Sequence, residues 1–253
     1  MKHFFVEETS LPQAYHAALR LLSTEGKQIP CPDYSTDMLE IAMTFAVAEP
    51  FAEPMVSRLY PGGTYELQQY VLEVCDGILD FMVGAAENTW EYTYSLRIKG
   101  QIPWLLDELR RNPHSRRAVI DVRDTAVDAH NDHPACLQHI QFLNRDGKLH
   151  MKVLMRSNDA VNATFMNAFA FIMLQKRIAD ELGLAVGSYT HTANSFHAYA
   201  KDWKMLRGYM ARLDEAEGAL TYDYASFYKD VMAAEIPKIM AMVAEQKRKY
   251  NIE

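Results

Sequence analysis

The stretch Pro134-Ala135-Cys136-Leu137-Gln138-His139-Ile140-Gln141-Phe142-Leu143-Asn144-Arg145-Asp146-Gly147-Lys148-Leu149-His150-Met151-Lys152-Val153-Leu154-Met155-Arg156-Ser157-Asn158-Asp159 decides how the chain folds. Residues 138–144 alternate, Asp146-Gly147 is a turn dipeptide, and residues 149–156 alternate again, which predicts a β-hairpin. In its second strand Leu149, Met151, Val153 and Met155 share one face, and His150, Lys152, Leu154 and Arg156 share the other. Residues 160–182 are apolar nearly all round (Phe165, Phe169, Phe171, Ile172, Ile178), the mark of a helix buried on every side. Gly183 stops it. A strand over about 186–195 and a helix from about 200 follow. A sheet with a buried helix behind it is an α+β design.

Working outward, Ala14, Ala17, Ala18, Leu21 and Leu22 predict a helix over 11–23. Gly26–Asp33 reads as a loop and 38–48 as a buried strand. Residues 64–86 read as one helix with Thr64 as its N-cap. Trp90–Ile98 reads as extended segment or loop, 103–111 as a helix that starts near Pro103, and Ala118–Val122 as a strand. Residues 124–135 read as a polar loop and 226–249 as a helix of mixed polarity. Nothing along the way looks like a repeat, a low-complexity tract or a linker, so residues 1–253 form one domain.

Hydrophobic residues make up 49% and charged residues 23% of the 253, the balance of an ordinary globular protein. No apolar run approaches the roughly 18 residues of a membrane span, and acidic residues directly after MKHFF argue against a leader. A net charge of −7 argues against a general nucleic-acid binder. Cys31, Cys75 and Cys136 are an odd set without paired spacing, which suits a reducing compartment such as the cytoplasm. With no CxxC or HExxH pattern, no metal site is expected.

Five features can carry chemistry, and each has a plainer reading. Cys136, presented by a loop just before a strand, is either a nucleophile whose pKa a cation lowers or a small buried apolar residue. Arg156 and Ser157 at the entry to a buried helix make an anion site with its free N–H groups; otherwise Ser157 or Asp159 caps the helix and Arg156 pairs with a surface acid. Asn167 is an amide in an apolar helix, and it either holds a neighbouring backbone or reads a ligand. His197 and Tyr199, two apart on a strand, face the same way and can reach one hydroxyl, or are core residues. Arg116-Arg117 suits a phosphate or is a surface pair.

In this order the motifs resemble the thymidylate synthase family, including its pyrimidine-nucleotide hydroxymethylases. The resemblance is carried by Asn112-Pro113-His114-Ser115-Arg116-Arg117; Pro134-Ala135-Cys136; Gln141-Phe142 with Asp146-Gly147-Lys148-Leu149; Arg156-Ser157-Asn158-Asp159; Asn167; and Val186-Gly187-Ser188-Tyr189-Thr190-His191-Thr192 with His197-Ala198-Tyr199. It is good over roughly 110–200 and faint before Tyr92.

The resemblance implies a large mixed sheet packed with helices and a homodimer formed through that sheet. It implies that Cys136 adds to C6 of a pyrimidine nucleoside monophosphate. Arg156, Ser157 and Asn158 would bind that substrate, with Arg116 and Arg117 reaching its phosphate from the other subunit. Asn167 would pair with the base edge, Asp159 would face base and pterin, and His197 and Tyr199 would take the sugar hydroxyl. Tyr92 or Tyr94 would help move the C5 proton, and Gln69, Glu66 or Glu73 would stand on the folate side. The one-carbon donor would be 5,10-methylene-tetrahydrofolate. Leu137, Met155 and the polar terminus 246–253 look more like the hydroxymethylases than the synthases. The expected activity is C5 hydroxymethylation, with uracil preferred over cytosine because Asn167 stands where the cytosine-specific members carry aspartate. The alternatives are thymidylate synthase itself and a catalytically silent homologue that binds nucleotide or RNA.

Overall fold

The computed structural model describes residues 1–84 and 90–252. Its centre is a mixed sheet. The strands are β1 (His3–Glu8), β2 (Lys27–Cys31), β3 (Thr36–Val47), β4 (Val56–Ser57), β5 (Val119–Asp121), β6 (Leu137–Arg145), β7 (Lys148–Met155), β8 (Asn158–Asp159), β9 (Ala185–Tyr199) and β10 (Thr221–Tyr222). The helices are α1 (Leu11–Glu25), α2 (Thr64–Asp76), α3 (Tyr94–Ile98), α4 (Ile102–Arg111), α5 (Thr125–Asp128), α6 (Thr164–Leu182), α7 (Trp203–Ala216) and α8 (Lys229–Lys249). The main sheet runs β1-β3-β9-β7-β6-β5, with β2 beside β3 and β8 beside β9; β4 and β10 pair separately.

The hairpin β6–β7 forms as the alternation predicts. Its turn residues Asp146 and Gly147 have φ of 52° and 74°, the left-handed pair that a two-residue hairpin demands. Leu149, Met151 and Met155 are fully buried against α6, and Lys152 on the other face is exposed. Helix α6 is buried along most of its length, as its composition requires. Gln175 on α6 ties it to the sheet by donating to the carbonyls of Leu149 at 2.8 Å and Gly187 at 3.1 Å.

Several expectations are corrected. Gly26–Asp33 is mostly strand: β2 pairs with β3 from Lys27↔Glu40 to Cys31↔Thr36. Pro30 is tolerated because β2 is an edge strand. The segment His3–Glu8 is also a strand, parallel to β3. The helix expected over 64–86 ends at Asp76, where Gly77 takes φ of 66°; residues 85 and 86 lie outside the described residues. Its N-cap is Gly63, not Thr64, and Glu66 Oε2 accepts from the Gly63 N–H at 2.8 Å. Tyr94–Ile98 is helical, capped by Thr93 Oγ1 accepting from Leu96 N–H at 3.2 Å. The polar loop 124–135 contains α5. The strand expected over 186–195 continues to Tyr199, so His197 and Tyr199 stand on it together, ring centroids 4.8 Å apart.

One buried histidine fastens the short strand β8 to β9. His191 stacks on Phe45 at 4.7 Å and 7°. Its Nδ1 lies 2.7 Å from the Tyr189 hydroxyl and its Nε2 lies 2.8 Å from Asn158 Oδ1. Burial pushes its pKa down to about 3. The unfolded chain therefore binds a proton below about pH 6.5 that the folded chain rejects, and stability falls as pH drops from there toward 3. We expect roughly 2 kcal/mol of loss at pH 5 from this residue. Urea unfolding at pH 7.5 and pH 5 checks it: His191→Gln should weaken the acid dependence, and an unchanged dependence would refute the assignment.

Candidate active site

Cys136 sits directly before β6, at a break in the β6–β7 register. Leu137 pairs with Met155 and His139 with Leu154, so Gln138 is an extra residue on β6. Such bulges re-aim the side chains beside them. The extra residue is not wasted: the Gln138 carbonyl accepts from Val122 N–H at 2.8 Å, and its side chain donates to the Ala135 carbonyl at 2.8 Å.

Arg156 is bound to the same segment. Its backbone N–H donates to the Cys136 carbonyl at 2.8 Å. Its Nη2 donates to the Pro134 carbonyl at 2.7 Å, and its Nε to the Ala135 carbonyl at 3.2 Å. The guanidinium is thus fixed beside the thiol. Burial pushes the Cys136 pKa up, and the Arg156 charge and the Tyr92 hydroxyl pull against that rise. The Tyr92 hydroxyl also reaches the backbone of Cys136. Tyr94 lies deeper, and its hydroxyl accepts from the Leu137 N–H at 3.3 Å.

These residues face a cavity of about 1040 Å³, whose wall includes Tyr34, Trp90, Tyr92, Pro134, Cys136 and Arg156. A second cavity of about 250 Å³ shares Trp90 and Tyr92 with it and adds Tyr70, Glu73 and Tyr94. Of the three folate-side candidates, Glu73 stands in this wall. Gln69 donates to its carboxyl at 2.7 Å, and Glu66 is occupied at the start of α2. Desolvation raises the Glu73 pKa.

Asn167 is 5% exposed on α6, and its Oδ1 accepts from the Tyr70 hydroxyl. His197 is buried beside Ser157, with Nδ1 3.5 Å from Ser157 Oγ and 3.3 Å from the Ser195 carbonyl. Its Nε2 is buried without a hydrogen-bond partner among the described residues. Burial lowers its pKa, so the ring is neutral near pH 7. Ser195 Oγ donates to Glu40 at 2.5 Å on the far side. Tyr199 is half-buried, and Tyr34 packs on it at 5.2 Å.

Other expected residues are placed differently. Arg156 and Ser157 do not open a helix, because α6 begins only at Thr164. The N–H groups of Val161 and Asn162 are both taken by Asp159 Oδ1 at 2.9 Å, so they are not free for an anion. Asp159 Oδ2 accepts from Asn162 Nδ2 at 3.0 Å, which makes Asp159 a turn-closing residue. Asn158 turns its side chain inward to His191. Leu137 and Met155 are fully buried and paired across the ladder, so they act on the site only through the packing beneath Cys136 and Arg156.

Arg116 and Arg117 stand away from this centre. The Arg116 carbonyl accepts from Gln141 Nε2 at 2.9 Å, and Val119 pairs with Gln141. Gln141 is five residues along β6 from Cys136, roughly 16 Å at the usual rise of a strand. Arg117 is also held by Glu108 at 2.9 Å.

Three residues of the cavity walls, Tyr34, Tyr70 and Trp90, escape the sequence reading. Aromatic residues at these positions read as core or surface, and only the fold gathers them around Cys136. Among the described residues there is no cluster of three or more His, Cys, Asp or Glu fit for a metal ion. Nor is any helix there long and apolar enough to cross a membrane.

This is an α+β fold that sets a thiol and a fixed guanidinium in the wall of one cavity, with a buried amide bound to a tyrosine of the adjoining one. The family model for thymidylate synthase matches residues 67–240. A protein of Methanocaldococcus jannaschii named "Putative thymidylate synthase" is 34% identical over 163 residues, covering 61% of this chain and 72% of the relative. One of Methanosarcina barkeri with the same name is 26% identical over 209 residues, covering 79% and 92%. The structure of thermostable thymidylate synthase A from Bacillus subtilis superposes with a TM-score of 0.66 at 19% identity, covering 80% of this chain and 84% of that one. The chain belongs to the thymidylate synthase family.

Proposed function

We propose that the protein transfers a one-carbon unit to C5 of a pyrimidine nucleoside monophosphate, uracil before cytosine, and releases the 5-hydroxymethyl nucleotide. The observation that carries the reading is the Cys136 thiol, set between a guanidinium fixed by three hydrogen bonds of its residue and the Tyr92 hydroxyl. C5 of a pyrimidine is a poor nucleophile. Addition of the Cys136 thiolate at C6 breaks the C5–C6 double bond and makes C5 nucleophilic, with charge shared by the C4 oxygen. The Asn167 amide donates to that oxygen. Arg156 pulls the thiol pKa down against its burial, which favours the thiolate, and with Ser157 takes the phosphate. His197 Nε2, which lacks a hydrogen-bond partner among the described residues, accepts from a sugar hydroxyl, and Tyr199 flanks it. Tyr92, at the thiol, is better placed than Tyr94 to move the C5 proton.

The family's one-carbon donor is methylene-tetrahydrofolate, which supplies an electrophilic carbon when bound. The residues present fit it. Tyr34, Trp90 and Tyr92 offer flat apolar walls beside Cys136, and Glu73, whose pKa desolvation raises, offers a carboxyl group in the adjoining cavity. Once C5 carries the exocyclic methylene, water or a hydride that the reduced folate would supply adds to it, and the Cys136 thiolate leaves C6 as the C5–C6 double bond re-forms. The cavity wall also carries Asp33, Glu91, Asp132 and His133, and a wall with such polar groups excludes water less well than an apolar one, which supports the hydroxymethyl product. The name of the archaeal relatives favours the methyl product instead. Mass spectrometry of products from dUMP, dCMP, UMP and CMP, with dihydrofolate followed by absorbance, separates the readings. We expect the 5-hydroxymethyl nucleotide and no dihydrofolate. Stoichiometric dihydrofolate with thymidylate would replace our branch by the methyl one, and no product from any nucleotide would favour a silent binder.

We further propose a dimer with shared sites. Arg116 and Arg117 are too far along β6 to serve their own Cys136. The sheet face that bears Phe5, Thr44, Thr192 and Leu154 is exposed or half-exposed, and a second copy covers it in this reading. A hybrid of a Cys136→Ser subunit and an Arg116→Ala, Arg117→Ala subunit then holds one intact site. We expect it to recover about half of the wild-type activity per dimer. A verified heterodimer without activity would refute sharing.

A further inference from the structure

Asn167 reads the base in the proposed reaction, and an amide can read it in two ways. Turned over, its oxygen and nitrogen exchange places, and a pattern that suits uracil becomes one that suits cytosine. The structure holds one of the two orientations in place. The Tyr70 hydroxyl, from α2, donates to Asn167 Oδ1 across 97 positions of sequence. Among the described residues this is the only hydrogen bond of the Asn167 side chain. Tyr70 stands in the wall of the smaller cavity with Glu73, Tyr92 and Tyr94, next to the thiol.

The contact is not indifferent to the amide's orientation. Burial, and then the nearby Glu73, hold the Tyr70 phenol protonated, so its hydrogen always needs an acceptor. With Oδ1 toward Tyr70 the hydrogen has one. With Nδ2 there, the amide would donate to the phenol oxygen and leave the phenol hydrogen stranded in a desolvated wall. The orientation that satisfies Tyr70 leaves the Asn167 N–H groups for the base. These match the carbonyl at C4 of uracil and oppose the amine at C4 of cytosine. The base cannot turn over to compensate, because C6 must meet Cys136.

We propose that Tyr70 is a positioning residue: it locks the Asn167 amide and thereby selects a C4 carbonyl over a C4 amine. This rests on the reading of the protein as one that binds pyrimidine nucleotides, and it deepens that reading. It makes the selectivity a property of two side chains, one of which never touches the base.

The test is calorimetric titration of wild type, Tyr70→Phe, Asn167→Asp and the double variant with dUMP and with dCMP. Wild type should prefer dUMP. Tyr70→Phe removes the hydrogen that would be stranded, so the preference should fall by about ten- to hundredfold. In the Asn167→Asp background either carboxyl oxygen can face Tyr70, and Tyr70→Phe should leave the ratio where it was. A general loosening of the wall would weaken both nucleotides alike and would not produce this pattern. An unchanged ratio in Tyr70→Phe, or an equal fall in the aspartate background, overturns the proposal. So does a wild type that prefers dCMP. Binding of neither nucleotide by wild type is a different failure, seen before any variant is compared: it rejects the functional reading, and the proposal with it.

Discussion

Cys136→Ser will lose turnover by about 10⁴-fold or more, the scale on which enzymes lose a covalent nucleophile, and it will still bind nucleotide. A serine hydroxyl is far less acidic than a thiol, and the side chains set against Cys136 are a guanidinium and a phenol, neither of which is a base near neutral pH. The phosphate and sugar contacts proposed for Arg156, Ser157 and His197 do not involve the sulfur, so affinity should survive. Near-normal turnover of the serine variant would end the covalent reading. The same geometry fixes a pH dependence. Burial raises the thiol pKa, Arg156 and Tyr92 lower it, and only the thiolate reacts. Alkylation of Cys136 by iodoacetamide should therefore speed up with rising pH. Arg156→Gln removes a charge that favours the thiolate, so its pKa rises and the curve moves to higher pH. This readout needs no nucleotide and is not confused by weaker phosphate binding. A curve that stays in place, or moves to lower pH, would show that the guanidinium does not act on the sulfur.

Asn167→Asp should reverse the base preference. A carboxyl group can share a proton with N3 of cytosine and accept from its amine, whereas the amide that Tyr70 holds offers its N–H groups. Mismatched polar groups in a desolvated site are expensive, so the ratio of kcat/KM for dUMP over dCMP should change by about 10² or more. Steady-state rates with both nucleotides measure it. A variant that loses both activities in proportion would show that Asn167 supports the site without reading the base.

The parts of the fold that could be read from the chain are those whose side chains repeat with one period. The β6–β7 hairpin and α6 each have a single pattern and a clear stop, and they form as expected. Strand β2 was hidden because Pro30 and Cys31-Pro32 look like punctuation, and only its edge position makes them acceptable. Periodicity overextends helix α2 because apolar residues continue past Gly77, and the turn there depends on a backbone angle that periodicity does not report. The candidate site was legible where motif residues lie close together, as around Cys136 and Arg156. It was not legible for Tyr70, whose partner is brought to it by the packing of α2 on α6. The turn-closing bonds of Asp159 were not legible either, because a carboxylate that makes them looks the same in sequence as one that does not.

The bracing of Arg156 has a consequence for how such a site can change. Its side chain is tied to the carbonyls of Pro134 and Ala135, and its backbone to that of Cys136. The proposed anion grip and the proposed attacking sulfur are therefore braced together before any ligand arrives, and little rotamer freedom of Arg156 remains to be lost on binding. Lysine at this position carries the same charge but cannot hold two diverging carbonyls with a planar fork. A mutation that shifts the 134–136 segment moves grip and sulfur together. Affinity and reactivity at this site are then inherited as a single trait, and selection acting on one necessarily carries the other with it.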